Sequence, residues 1–359
     1  MKILFLIPYP PGESPSQRFR FEQYLDLLRN QGHTVRLAPF LPPQRWRLFY
    51  QPGNTLARVD MILRGYLKRI GLLPSAAAYD RIFIHREGAP LGPPIIEWFL
   101  AKVLGKKIIY DFDDAIWMTD KTRETPLERL LRWRSKVASI CRWSHKVSCG
   151  NEYLLAYALR FNPSAFLNPT TIDTERLHNP SRLHPHEKDP ERIVIGWTGS
   201  HSTLKYLYLL KDVLTRVQQT FPAVAVLVIA DKPPELPLPG LIFRPWAPET
   251  EISDLMMSDI GIMPLPDDEW SKGKCGFKAL QYMALGIPAV ASDVGVNSTI
   301  IQHMKNGCLC KSDDEWVAIL GTLIKDAALR KRLGIAGRRA VIGRYSVSSN
   351  ASNFLSLFE

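Results

Sequence analysis

Between Trp270 and Ser292 the chain reads WSKGKCGFKALQYMALGIPAVAS, with Lys274, Lys278 and Gln281 at intervals of four and three. On a helix starting near Lys274 or Cys275, that spacing sets two cations and an amide on one face, while Phe277, Leu280 and Ala284 occupy another. Gly273 precedes this start, so the first N–H groups and the positive end of the helix dipole favour a phosphate. A solvated basic face is the alternative. Gly286, Pro288 and the strand-like AVAS argue against it, because they wedge the helix between two strand ends.

Other polar residues gather at comparable turns. In GWTGSHSTLKYL, Gly199 and Ser200 follow a strand and open a helix, where backbone N–H groups approach a phosphate closely. Lys205 is as well read as an exposed helix cation. In PPGESPSQRFRFEQYL, Arg18 and Arg20 offer planar forks to an anion, while Ser16 suits a helix cap. Glu87 in IHREG is a carboxylate at a strand end, equally able to pair with Arg86 or another local cation. Asp111 and Asp113 in YDFDDAIW spell a D-x-D, a pattern suited to a hard divalent ion, though Asp111 and Asp114 also suit helix capping or loop bracing.

The elements that must position these residues alternate along the chain. Short apolar runs (KILFLI, HTVRLA, DRIFIH, KKIIYDF, HKVSC, then RIVIGWT, AVAVLVIA, LIFR, DIGIMP, IPAVAS) alternate with helical segments such as Gln17 to Gln31 and Pro126 to Trp143. That is the pattern of βα units around parallel sheets. The polar, proline-bearing stretch from Asn168 to Glu191 interrupts it. The expected class is therefore α/β, with two Rossmann-like doubly wound domains facing across a cleft. The expected bounds are 1–170 for the first domain, 171–191 for a linker, 192–345 for the second domain, and 346–359 for a C-terminal helix returning to the first domain. In such sheets ligands sit outside the carboxyl ends of the strands, where the loops quoted above lie.

Bulk properties agree with this. A chain of 359 residues exceeds one comfortable core. No run approaches the roughly 20 apolar residues of a membrane span, and the opening MKILFLIPYPP is shorter than a signal-peptide core. Five cysteines without C-x-x-C spacing suggest neither a disulfide framework nor a zinc site. A cytoplasmic protein is expected, peripheral at the inner face of the plasma membrane. The net charge of +11 is uneven: residues 1–175 hold 25 Lys and Arg against 16 Asp and Glu, residues 176–359 hold 21 against 19. The first half should meet an anionic partner. PPQRWRLFYQ and RGYLKRIGLL, which interleave cations with aromatics, suit an anionic membrane or single-stranded nucleic acid, or else a helix packing face. The chain shows no nucleic-acid recognition module.

Taken together, FKALQYMALGIPAVASDVG, DIGIMPLPDDEW, GWTGSHSTLKYL and IIYDFDDAIW resemble the GT-B glycosyltransferases of family four. The resemblance implies a retaining transfer from a nucleotide-sugar donor held mainly by the second domain, with the acceptor on the first and no further cofactor. It makes Lys278 a diphosphate ligand and sets Gly12 at a close backbone approach to donor or acceptor. It places Asp113 against the donor sugar or the acceptor, and in the Gly199 loop, where the family often has an Arg and a Lys, it leaves only His201 and Lys205 nearby. Trp197 takes the Arg place. Two family glutamates are missing, replaced by Gly273 and Gln281. An amide still has an acceptor oxygen and N–H donors for ribose hydroxyls.

The expected function is hexosyl or related transfer in surface polysaccharide or glycolipid assembly, independent of metal. Lys278, Lys274 and Asp113 are its catalytic candidates, and Arg18, Arg20 and Glu87 serve the acceptor side, which is a glycan or a lipid-linked glycan. A non-catalytic sugar-nucleotide or glycan-binding protein, or an epimerase or hydrolase of the same fold, remain the alternatives.

Overall fold

The computed structural model describes residues 1–42, 55–120, 124–182 and 192–359. It divides into two compact units, Met1–Thr170 with Asn350–Glu359, and Thr171–Ser349. Each unit has one six-stranded sheet in which all pairings are parallel.

In the first unit the strands are β1 (Lys2–Ile7), β2 (Thr34–Pro39), β3 (Arg81–His85), β4 (Lys107–Phe112), β5 (Lys146–Cys149) and β6 (Ala165–Leu167), in the order β2-β1-β3-β4-β5-β6. The chain leaves β1 towards one edge and returns past it to β3, so the switch point lies between β1 and β3. Their continuous apolar runs follow from burial on both faces. Phe5 packs on Phe83 with ring centroids 4.6 Å apart, and the last helix, Ala351–Ser356, stacks Phe354 on Tyr24 at 4.3 Å.

Two helical expectations break where the backbone turns. Pro126–Arg132 and Lys136–Trp143 are separate helices because Trp133 between them takes a left-handed φ of 45°. Gln17 to Gln31 divides into Pro15–Arg18, a 3-10 turn at Glu22–Tyr24, and Leu25–Asn30.

In the second unit the strands are β7 (Val194–Thr198), β8 (Ala225–Ala230), β9 (Leu241–Pro245), β10 (Ile260–Met263), β11 (Ala289–Ser292) and β12 (Cys308–Cys310), ordered β12-β11-β10-β7-β8-β9. The switch point falls between β7 and β10. The core beside the sheet joins Trp197, Leu214, Val228, Trp316 and Leu320. Residues 171–182, inside the expected linker, lie in this unit: Ile172 is buried, and its N–H and C=O bond Tyr345 O at 2.8 Å and Val347 N at 3.1 Å.

Candidate functional site

At the β7–β10 switch point, β7 ends on Trp197 and Thr198, and the chain turns at Gly199. A side chain at Gly199 would meet the Trp197 ring at 2.4 Å, so glycine is what lets this loop lie directly on the indole. Three loop amides already have acceptors: Gly199 N–H donates to Ile229 O at 3.0 Å, Ser200 N–H to Thr203 Oγ1 at 3.0 Å, and His201 N–H to Asp231 Oδ1 at 2.5 Å. The His201 ring also meets Asp231, with Nδ1 2.5 Å from Oδ2. Asp231, just after β8, was not singled out from the sequence; its sign was a carboxylate one residue beyond a strand end. Lys205 is exposed, with Nζ 5.2 Å from the Tyr206 ring centroid.

Beyond β10 the helix begins later than its spacing predicts. It spans Phe277–Ala284, with Gly276 at φ +68° as its N-cap, and a short helix Glu269–Lys272 precedes it. Lys274 therefore lies outside the helix, in the turn, its N–H on Ser271 O at 3.0 Å. The reason is local: Asp268 caps the short helix through Ser271 N–H at 2.7 Å, so residues 269–272 close their own turn first. Lys278 and Gln281 do lie on Phe277–Ala284, three apart. Lys274 Nζ is 4.9 Å from the Trp270 ring centroid, and Lys278 Nζ is 5.5 Å from that of Trp197.

Tyr282 fixes this helix on the sheet. Its ring lies where a side chain on Gly261 would be, 2.2 Å from such a Cβ, and its hydroxyl donates to Gly196 O at 3.1 Å. Burial raises its phenol well above the ordinary range. The helix is thereby pinned to both β10 and β7, and Lys278 with it. Gln281 is buried, its Nε2 3.4 Å from Glu251 Oε1 and 3.5 Å from His178 Nε2. Glu251 also accepts from Trp246 Nε1 at 3.3 Å. A carboxylate thus stands beside the amide, delivered by the helix Glu251–Met256, a position no linear motif indicates.

In the first unit the polar residues pair with one another. Arg20 is buried rather than offered to a ligand: its guanidinium grips Asp111 and donates to Asn168 O and, at 3.1 Å, Ser148 Oγ. His85 Nδ1 lies 2.8 Å from Asp111 Oδ2, the two residues being register partners on β3 and β4. Burial alone would push the Asp111 carboxyl up, but Arg20 and His85 outweigh it and hold the group well below the usual carboxylate range. Asp113 and Asp114 both bind Arg86, each at 2.7 Å, and Arg86 carries a left-handed φ of 59°. Asp111 and Asp113 therefore face different cations. Among the described residues no group of three or more His, Cys, Asp or Glu is arranged to hold a metal ion.

Glu87 pairs with Lys136 at 2.6 Å rather than with Arg86. Gly12, at φ +83°, gives its N–H to Glu22 at 2.9 Å. Arg18 is half-buried, its guanidinium 5.0 Å from the Phe19 ring. Of the aromatic-basic stretches, Arg45, Trp46, Arg47, Phe49 and Tyr50 lie outside the described residues. In the other, Arg69 is buried on the carbonyls of Gly88, Ala38 and Ile7, at 2.7, 2.7 and 2.9 Å, so it is a packing residue and not a surface cation.

Two doubly wound α/β units, the second with a cation-bearing helix start at its switch point, define the architecture. Residues 192–326 match the family model described as Glycosyl transferases group 1, and the chain has the GT-B fold. Sucrose-phosphate synthase from Thermosynechococcus elongatus superposes with a TM-score of 0.69 at 14% identity, covering 99% of this chain and 98% of that one. WaaG, a glycosyltransferase involved in lipopolysaccharide biosynthesis, gives 0.68 at 13%, covering 99% and 100%. Anabaena HepE in complex with UDP and glucose gives 0.66 at 16%, covering 99% of each. Among curated proteins, the D-inositol 3-phosphate glycosyltransferase of Jonesia denitrificans is 26% identical over 206 residues, which are 49% of this chain and 47% of that protein. The chain thus spans about half the length of the curated relative it matches.

Proposed function

We propose that the protein is a retaining glycosyltransferase, in which the second unit holds a nucleotide-sugar donor and the first unit receives a hydroxyl acceptor. The observation that carries this reading is Trp197, whose buried ring is shared by the Gly199 turn and by Lys278, so that loop and cation address one spot at the switch point. Lys278, supported by Lys274 in the preceding turn, meets the donor diphosphate. As the bond from the anomeric carbon to the phosphate oxygen breaks, charge grows on that oxygen, and fixed cations stabilise it more than they stabilise the ground state.

The Gly199–Ser200 turn, His201 and Lys205 complete the phosphate side, and Gln281 with Glu251 sits towards the nucleoside. Asp113, Glu87, Arg18 and the Gly12 turn serve the acceptor side, while Arg20 acts through Asp111 as a positioning residue. Activity requires no metal ion and no cofactor beyond the donor. The likeness to HepE in complex with UDP and glucose supports a uridine donor, and the likeness to WaaG, involved in lipopolysaccharide biosynthesis, supports a role in surface-glycan assembly. The acceptor of this reading is lipid-linked and met at the cytoplasmic membrane face.

Thermal unfolding against a panel of UDP-, GDP- and other sugar nucleotides, with and without EDTA, tests the reading, because a ligand of the folded state raises the melting temperature. Stabilisation by one donor class in EDTA is expected. No shift with any sugar nucleotide would defeat it. The absence of carboxylates at Gly273 and Gln281 favours a second reading, a binding protein without turnover; donor binding with no transfer or hydrolysis would select it.

A further inference from the structure

The helix Thr55–Ala76 turns Met61, Gly65 and Arg69 inward, and along the opposite side it leaves an apolar row in solvent. Leu56, Val59, Leu63, Leu67 and Ile70 follow one another at intervals of three, four, four and three, and are 86%, 49%, 58%, 68% and 55% exposed. Asp60 at the edge of the row is neutralised by Arg64 at 2.8 Å. The row has a neighbour. Tyr66 Oη donates to Leu91 O, and Gly92 N–H donates to Leu131 O at 2.6 Å, so residues 91–98 lie between this helix and Pro126–Arg132. On that second ridge Leu127, Leu130, Leu131 and Trp133 are exposed, as are Ile95 and Trp98 in the segment between.

We infer that this face of the first unit docks on an anionic lipid bilayer. Apolar patches of this extent mark interaction surfaces, and leucines with interfacial tryptophans, bordered by long cations, match the boundary between headgroup and acyl chain. The exposed cations bordering the face are Lys102, Arg129 and Arg132. They fit the unit's balance of 25 Lys and Arg against 15 Asp and Glu. Two copies packed through the same face would set these cations against each other, whereas anionic headgroups would neutralise them. The surface lies on the side of Thr55–Ala76 opposite Arg69, and it gives the proposed lipid-linked acceptor a place where the protein reaches it. It rests on that reading only for its biological setting.

Sedimentation of the full chain with vesicles of phosphatidylcholine containing phosphatidylglycerol, or of phosphatidylcholine alone, tests the assignment. Binding to the anionic vesicles at low salt is expected. Leu63→Gln with Leu67→Gln should lower it about tenfold or more, and Arg129→Gln with Arg132→Gln roughly thirtyfold. All four side chains are exposed, so unchanged melting temperatures establish that the variants fold. Absence of binding, binding by both variants equal to that of the wild type, or a wild-type dimer that the leucine variant splits into monomers would each overturn the proposal. Donor binding is read separately: vesicle binding without it keeps this surface and removes the transferase, while donor binding without vesicle binding does the reverse.

Discussion

Lys278 Nζ lies 5.5 Å from the centre of the Trp197 ring, a buried indole that also floors the Gly199 turn. The ring face attracts the ammonium and limits where it points. If this cation meets the leaving diphosphate, Lys278→Ala should lower kcat/KM by about a hundredfold to a thousandfold, and Lys205→Ala by less than about tenfold. Steady-state kinetics with the donor found by thermal screening decide it. Equal, small losses would return Lys278 to the surface.

His201 N–H is already bound to Asp231, which stands where an anion would be received. A donor phosphate bound at this loop, as proposed, would compete with that carboxylate. Asp231→Asn should therefore tighten nucleotide binding by about threefold to tenfold, as measured by titration calorimetry with UDP or the identified nucleotide. Weaker binding would show that Asp231 orients the loop for the ligand instead of occupying it.

Gln281→Glu introduces the residue that the family-four resemblance implies at this position, yet here it sets a second carboxylate in a buried place beside Glu251. A cost of about 1–3 kcal/mol at neutral pH is expected. The new carboxyl would titrate higher in the folded state than unfolded, so the loss should vanish below about pH 4 and grow as pH rises above it. Urea unfolding across that range reads the effect. A variant of unchanged stability with tighter nucleotide binding would mean that residue 281 faces the ligand.

Arg20 and Asp111 make the opposite case, an acid whose folded pKa is depressed. Its stabilisation is fully present above the unfolded value of about 4 and disappears as pH falls below it. Arg20→Ala should cost about 3–5 kcal/mol near neutrality by leaving a buried carboxylate without its cation. Asp111→Asn should flatten the acid limb of the stability curve. A wild-type acid limb that Asp111→Asn leaves unchanged would contradict the assignment.

How much of this was written in the chain differs from element to element. Ten strands are legible as short runs rich in apolar and β-branched residues; central ones such as β1, β4 and β8 are buried on both faces, while the edge strands β2 and β9 stay partly exposed. The edge strands β6 and β12 escape because Ala165–Leu167 and Cys308–Cys310 are three residues long, too short to show a period. The GT-B resemblance, Gly199 and Lys278 were likewise open to reading, since turn chemistry and a helix-start cation are local properties.

Tertiary structure decided which charges meet. Arg20 and Arg18 look alike in sequence, yet strand register carries Asp111, His85 and Ser148 to the first and leaves the second half-buried at the surface. Glu251 and Asp231 reach the site from other elements across the sheet order, with no spacing to announce them. The apolar row on Thr55–Ala76 needs the same knowledge, because a period shows that a face exists and only packing shows that Met61 and Arg69 face inward while Leu63 and Leu67 do not. Local sequence fixes backbone propensity and periodicity, whereas pairing between distant side chains is set by sheet order and register, which emerge only when the whole chain is folded.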